Sequence, residues 1–114
     1  MSSDRRKEST MALCSVTVVP VGTGSTSASR YVARCQEVLA GLEGIRYRLT
    51  PMSTVVEGEL ETIIDAAVRL HRVPFGEGAA RVLTTIMIDD RTDKPLTMDG
   101  KIASVQEKLG LRGK

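Results

Sequence analysis

Arg46-Tyr47-Arg48-Leu49-Thr50-Pro51-Met52-Ser53-Thr54-Val55-Val56-Glu57 is the stretch on which the fold turns. Arg46 to Thr50 and Ser53 to Glu57 each read as a short strand. The intervening Pro51-Met52 leaves room only for a tight reversal or a bent hairpin. The two strands are expected as antiparallel neighbours, and the rest of the chain has to be arranged around them.

Upstream, Tyr31, Val32, Cys35, Val38, Leu39 and Leu42 recur at helical spacing, with Gly41 and Gly44 as a C-terminal stop and Ser27 as a candidate N-cap. Ahead of this helix Gly22-Thr23-Gly24-Ser25-Thr26 reads as a loop. Before it Ala12 to Val19 reads as a β-branched strand that Pro20 is expected to stop. Cys14, Val16 and Val18 fall on one face of that strand, and Leu13, Ser15, Thr17 and Val19 on the other.

Downstream, Glu59 and Glu61 after Gly58 suit the positive end of a helix, and Leu60, Ile63, Ile64, Ala67, Val68, His71 and Phe75 continue it at spacings of three and four. Pro74 would clash with the carbonyl of Leu70 in a regular helix, so an end or a kink is expected there. After Gly76 and Gly78, Arg81 to Ile88 alternates as a fourth strand. Asp89 to Pro95 is a charged loop, and Thr97 caps a last helix with Ile102, Val105 and Leu109 along one side.

The order is β-α-β-β-α-β with an added C-terminal helix, and right-handed crossovers close it most simply as a ferredoxin-like α+β (α/β) sandwich with an antiparallel sheet. Two helices then cover one face of the sheet, yet the first and fourth strands carry large apolar residues on both faces. A second copy of the chain is the economical cover, so a homodimer or a dimer-of-dimers tetramer is expected.

Length and composition fit this reading. A chain of 114 residues makes one domain, and 41% hydrophobic with 26% charged residues is an ordinary globular balance. The expected organisation is a disordered leader over 1–10, a domain over 11–110 and a tail over 111–114. The formal charge of +2 is weighted towards Arg5-Arg6-Lys7 and the segment from Lys108 to Lys114, leaving a near-neutral body. With only Phe75, Tyr31 and Tyr47 as aromatics and no basic stripe, nucleic acid is not an expected partner. No run approaches the ~18 apolar residues that cross a bilayer, and the leader lacks the apolar segment of a signal peptide, so no membrane partner and a cytoplasmic location are expected. Cys14 and Cys35 read as buried thiols rather than a disulfide framework.

Three segments together resemble one family: Val19-Pro20-Val21-Gly22-Thr23-Gly24-Ser25-Thr26-Ser27, Leu49-Thr50-Pro51-Met52-Ser53-Thr54-Val55-Val56-Glu57-Gly58, and Asp89-Asp90-Arg91-Thr92-Asp93-Lys94-Pro95. Each is weak alone, but their order and spacing make the likeness specific. It runs from about Met11 to Leu109 and is to the small ferredoxin-like thiamine-binding proteins, long grouped as an uncharacterised conserved family. The resemblance implies a dimer or tetramer that binds thiamine or its aminopyrimidine part, without established catalysis and without a resident cofactor.

Read for their own chemistry, the same segments are compatible with a ligand without demanding one. Thr23, Ser25, Thr26 and Ser27 present hydroxyls and backbone N–H groups at a helix N-terminus, where an anion or a polar ring edge can be received; a capped turn with no ligand fits equally well. Thr50, Ser53, Thr54 and Glu57 surround the central hairpin, and an aminopyrimidine needs both a donor–acceptor pair and an acceptor for its exocyclic amine. Glu57 reads alternatively as a solvated acid at a strand end. Thr84 and Thr85 must point to opposite faces, where either can line a pocket or serve only strand propensity.

His71 reads as a core or interface imidazole, and no second histidine or cysteine cluster offers a metal site. The Asp89 to Lys94 loop reads as paired charges rather than a magnesium or phosphate site. The leading function is a carrier or sensor of thiamine or a related pyrimidine. The alternatives are an enzyme on a related metabolite, with Glu57 or His71 as base, and a module that serves only assembly.

Overall fold

The computed structural model describes residues 11–112. The elements, in chain order, are β1 (Met11–Val21), α1 (Ser29–Ala40), β2 (Ile45–Leu49), β3 (Thr54–Glu59), α2 (Leu60–Gly76), β4 (Arg81–Asp89) and α3 (Met98–Arg112). The strands form one antiparallel sheet in the order β2-β3-β1-β4, which is the ferredoxin-like arrangement read from the sequence. The expected leader over 1–10 lies outside the described residues. α3 runs through the first two positions assigned to the tail, and 113–114 also lie outside.

The register sorts the side chains onto two faces. Cys14, Val16 and Val18 of β1 stand opposite Ile88, Ile86 and Thr84 of β4 on the face covered by α1 and α2. There Ala12, Cys14, Val16, Cys35, Leu39, Val56, Ile63, Ala66, Ala67 and Leu70 form the main core. On the other face Leu13, Leu96 and Met98 make a small second cluster with Val55 beneath the start of α3. Gly58 is required where two backbone segments approach closely, since a Cβ there would sit 2.9 Å from the Gly44 carbonyl oxygen.

Three local expectations are corrected or refined. Pro20 does not stop β1, which runs on to Val21 paired with β4. Beyond Val16 the strand has lost its β3 neighbour, and a proline is tolerated where one side of a strand has no ladder to break. Ser27 is not the N-cap of α1; Ala28 holds that position without a side-chain bond, while Ser27 Oγ meets Ser29 Oγ at 3.3 Å.

Pro74 lies inside α2, which ends two residues later at Gly76 without breaking at the proline. Because Pro74 has no N–H to give the Leu70 carbonyl, that oxygen is left for the Cys35 thiol, which donates to it at 3.9 Å. Thr97 does cap α3, its Oγ1 accepting the Gly100 N–H at 2.9 Å.

Candidate functional site

β1 outruns β3, and this creates the cleft. The first β1–β3 pair is Val16 with Thr54, so the end of β1 that carries Thr17 and Val18 faces the β2–β3 turn instead of a strand. The turn is held by Thr50, whose N–H and Oγ1 both donate to the Ser53 carbonyl, at 2.8 and 2.9 Å, while its Oγ1 accepts the Ser53 N–H at 3.1 Å. Thr17 Oγ1 donates across the gap to the Met52 carbonyl at 3.3 Å, and Ser15 Oγ donates to Ser53 Oγ at 2.8 Å. A rigid loop is thereby pinned over a space it does not fill.

That space has a volume of about 140 Å³. Val16 and Val18 of β1, Tyr31, Val32 and Cys35 of α1 and Leu70 of α2 form its apolar walls, Thr54 on the same face as Val16 brings a hydroxyl, and Thr17, Thr50 and Ser53 complete its lining. Tyr31 is buried with Arg30 lying over its ring at 4.9 Å and donating to its hydroxyl at 2.9 Å. Thr54 is buried and its Oγ1 accepts from Gln36 Nε2 at 3.0 Å. Burial pushes the Cys35 thiol up, so this wall of the cleft is a neutral sulfur at ordinary pH. The buried Cys14 thiol beneath the sheet is pushed up to about 11 for the same reason.

Of the residues singled out from the sequence, Thr50, Ser53 and Thr54 meet in this cleft. Ser25, Thr26 and Ser27 stand exposed and Thr23 half-buried on the β1–α1 loop at the same end of the sheet, outside the cleft lining, with Thr23 Oγ1 donating to the Ser25 carbonyl at 3.2 Å and Ser25 Oγ accepting the Ser27 N–H at 3.1 Å. Thr84 faces the helices and its Oγ1 lies 2.7 Å from His71 Nδ1; Thr85 faces the other side opposite Thr17. Glu57 is neither a solvated acid nor part of the cleft. It is 2% exposed, on the face of Leu13, and its Oε1 accepts the Met98 N–H at 2.8 Å, so a buried carboxylate fastens the first residue of α3 to the sheet.

Sequence reasoning missed the cleft's apolar walls because they read as ordinary core, and a search for polar groups passes over them. The signal was present in Tyr31, a phenol on an otherwise apolar helix face.

A broader hollow of about 560 Å³ lies on the other face between the sheet and α3, walled by Leu13, Val55, Met87, Met98 and Ile102. The cations at its rim are already matched, Arg48 with Asp99 at 2.8 Å and Lys101 with Asp89. In the adjoining loop Arg91 and Asp93 clasp each other, which holds the Asp93 carboxyl down at about 2. Among the described residues no group of three or more His, Cys, Asp or Glu side chains is placed to hold a metal ion. Nor is any described helix long and apolar enough to cross a membrane.

Fold and site define a small ferredoxin-like domain with a ring-sized cleft at one end of its sheet. The family model described as thiamine-binding protein matches residues 14–106, and the chain belongs to that family. It is 45% identical over 102 residues to the UPF0045 protein YqgV of Bacillus subtilis, covering 87% of this chain and 98% of that one. It is 40% identical over 100 residues to a UPF0045 protein of Methanothermobacter thermautotrophicus, covering 87% of this chain and all of the other.

Among solved structures, hypothetical protein MJ1052 of Methanocaldococcus jannaschii superposes with a TM-score of 0.75 at 30% identity, over 85% of this chain and 97% of that one. A Thermotoga maritima protein assigned provisionally to thiamine biosynthesis or salvage superposes with a TM-score of 0.69 at 26% identity, over 83% and 98% of the two chains.

Proposed function

We propose that this protein binds thiamine, or the aminopyrimidine ring of thiamine, as a non-catalytic carrier or sensor in the cytoplasm, with the ring seated in the cleft beneath the β2–β3 turn. The observation that carries this reading is the match of cleft to ring. A space of about 140 Å³ with apolar walls is close to the ~150 Å³ cavity that takes up a single benzene. It holds one six-membered ring and leaves any second ring of the ligand at the mouth.

The hydroxyls have capacity to spare for the ring's polar edge. A threonine hydroxyl offers one donor and two acceptor positions. Thr54 Oγ1, on the helix-covered face with Val16, accepts from Gln36 and keeps its own proton for a ring nitrogen. Family membership and the Thermotoga neighbour favour a thiamine-related ligand for such a site.

We also propose that the chain works as a homodimer or a dimer of dimers. Val19, Leu83 and Met87 leave the second sheet face apolar and exposed, and α3 carries Ile102, Val105 and Leu109 exposed at helical spacing. A surface of this kind is covered in stable soluble proteins.

Titration calorimetry with thiamine and with the free aminopyrimidine tests the ligand reading. Both are expected to bind, and Val32→Phe, which fills the cleft from α1, is expected to abolish binding. Thr54→Val is expected to weaken it about fivefold, the worth of one hydrogen bond. Absence of heat with either ligand, or equal binding by Val32→Phe, overturns the assignment.

A further inference from the structure

A threonine or serine hydroxyl can serve a ligand as donor or as acceptor, and the bonds it already makes decide which. Thr50 Oγ1 has nothing left to offer, since it gives its proton to the Ser53 carbonyl and accepts the Met52 and Ser53 N–H groups. Thr17 is tied to the Met52 carbonyl and Ser53 to Ser15. Thr54 is different. It is 6% exposed, it stands opposite Val16 on the helix-covered face, and its Oγ1 accepts from Gln36 Nε2 at 3.0 Å, while among the described residues none accepts its proton. Gln36 is itself outside the cleft lining, half-buried on α1 one turn beyond Val32.

We propose that Gln36 is a positioning residue that sets the ligand class of the cleft. By filling a lone pair of Thr54 with an N–H it makes the hydroxyl a donor, so that the cleft takes a ring presenting a bare nitrogen at that point and disfavours one presenting an N–H. The inference rests on the ring-binding reading above and adds which edge of the ring is read and what enforces the choice.

The two kinds of ring leave different groups unpaired. A nitrogen with a lone pair accepts the Thr54 proton, and every polar group at the contact is then matched. A ring N–H has to take the second lone pair of Thr54, and the threonine proton stays buried with no acceptor, which is the costly state for a polar group out of water. Thr54 cannot easily turn away, because it is β-branched and its backbone is paired with Val16 on one side and Leu49 on the other.

Exchange of the amide for a carboxylate tests this, since Gln36→Glu keeps the shape of the side chain and replaces the donor by an acceptor for the Thr54 proton. Titration calorimetry on the whole protein at about pH 8, where a carboxylate is ionised, uses two probes. One is the free aminopyrimidine, and the other is its benzene analogue, which keeps the amine and has C–H at both ring nitrogens. Gln36→Glu is expected to weaken the aminopyrimidine about fivefold, the worth of one hydrogen bond, and to leave the benzene analogue unchanged. General damage to the cleft, or an effect of the new charge on the amine, would change both probes alike. Gln36→Met, which neither gives nor takes a proton, is expected to fall between the native protein and Gln36→Glu. In a Thr54→Val background neither change at Gln36 is expected to alter the binding of either probe.

An equal change for both probes in Gln36→Glu, or none, overturns the role of Gln36. So does an aminopyrimidine affinity in Gln36→Met equal to the native one, or an effect of Gln36→Glu that survives in Thr54→Val. Each of these leaves the cleft standing as the ring site so long as Val32→Phe abolishes binding. A native protein that binds neither probe overturns the inference together with the reading on which it rests.

Discussion

The two faces of the sheet carry similar strands but reach different ends. On the face under α1 and α2, side chains from four elements close a core in which Leu39, Val56, Ile63, Ala66 and Ala67 have no exposure. On the other, α3 touches down only through its first turn, where Met98 joins Leu13, Leu96 and Val55 and where Glu57, Asp99 and Lys101 make polar ties. Beyond that turn the helix stripe and the strand side chains of Leu83 and Met87 stay exposed. The first face is sufficient to fold the domain. The second is a surface partly held and partly offered.

The largest effect that tests this contrast comes from equivalent truncations on the two faces. Ile63→Ala is expected to cost about 2–5 kcal/mol in denaturant unfolding, the usual range for a buried aliphatic deletion. Met87→Ala is expected to stay within about 0.5 kcal/mol when measured on the monomer. Equal losses would mean that the two faces are equally committed to folding.

Glu57→Ala is expected to have an intermediate effect. It leaves the Met98 N–H unpaired beneath the helix and is expected to cost about 1–3 kcal/mol, with faster amide exchange confined to α3 and the Leu96 segment. Loss spread evenly over α1 and α2 would contradict a role as the fastening of α3.

The smallest effect comes from Asp99. Its carboxyl is held below the ordinary range chiefly by the hydrogen bond from Arg48, then by the charges of Arg48 and Arg46. A carboxylate depressed in the folded state stabilises above its unfolded value, and that contribution is lost as pH falls through the folded value. Acidification through that window is expected to lower the protection of the α3 amides relative to their intrinsic exchange rate at each pH, and Asp99→Asn is expected to show that lowered protection at every pH. A pH response surviving in Asp99→Asn would assign it to another group.

Much of the fold was legible because alternation and helical spacing are strong in β1, α1, α2 and β4, and because a two-residue reversal between Thr50 and Ser53 permits little but a hairpin. What was not legible depended on neighbours. Whether Pro20 ends a strand depends on which side of β1 is occupied, and whether Pro74 ends a helix depends on another donor, here Cys35, reaching the Leu70 carbonyl.

The candidate site was half legible. Hydroxyls at the hairpin could be picked out, but the cleft exists because β1 outruns β3, which is a property of register. Glu57 sits at a strand end in the sequence, and only the return of α3 across the sheet buries it.

The most direct test of the ligand account is a nuclear magnetic resonance titration of the whole protein with the free aminopyrimidine. Saturable shifts centred on Tyr31, Val32, Cys35 and Thr54, leaving Met87 and Ile102 on the opposite face unmoved, are the predicted result. Shifts centred on Met87 and Ile102, or none at all, would contradict the placement of the ligand beneath the hairpin.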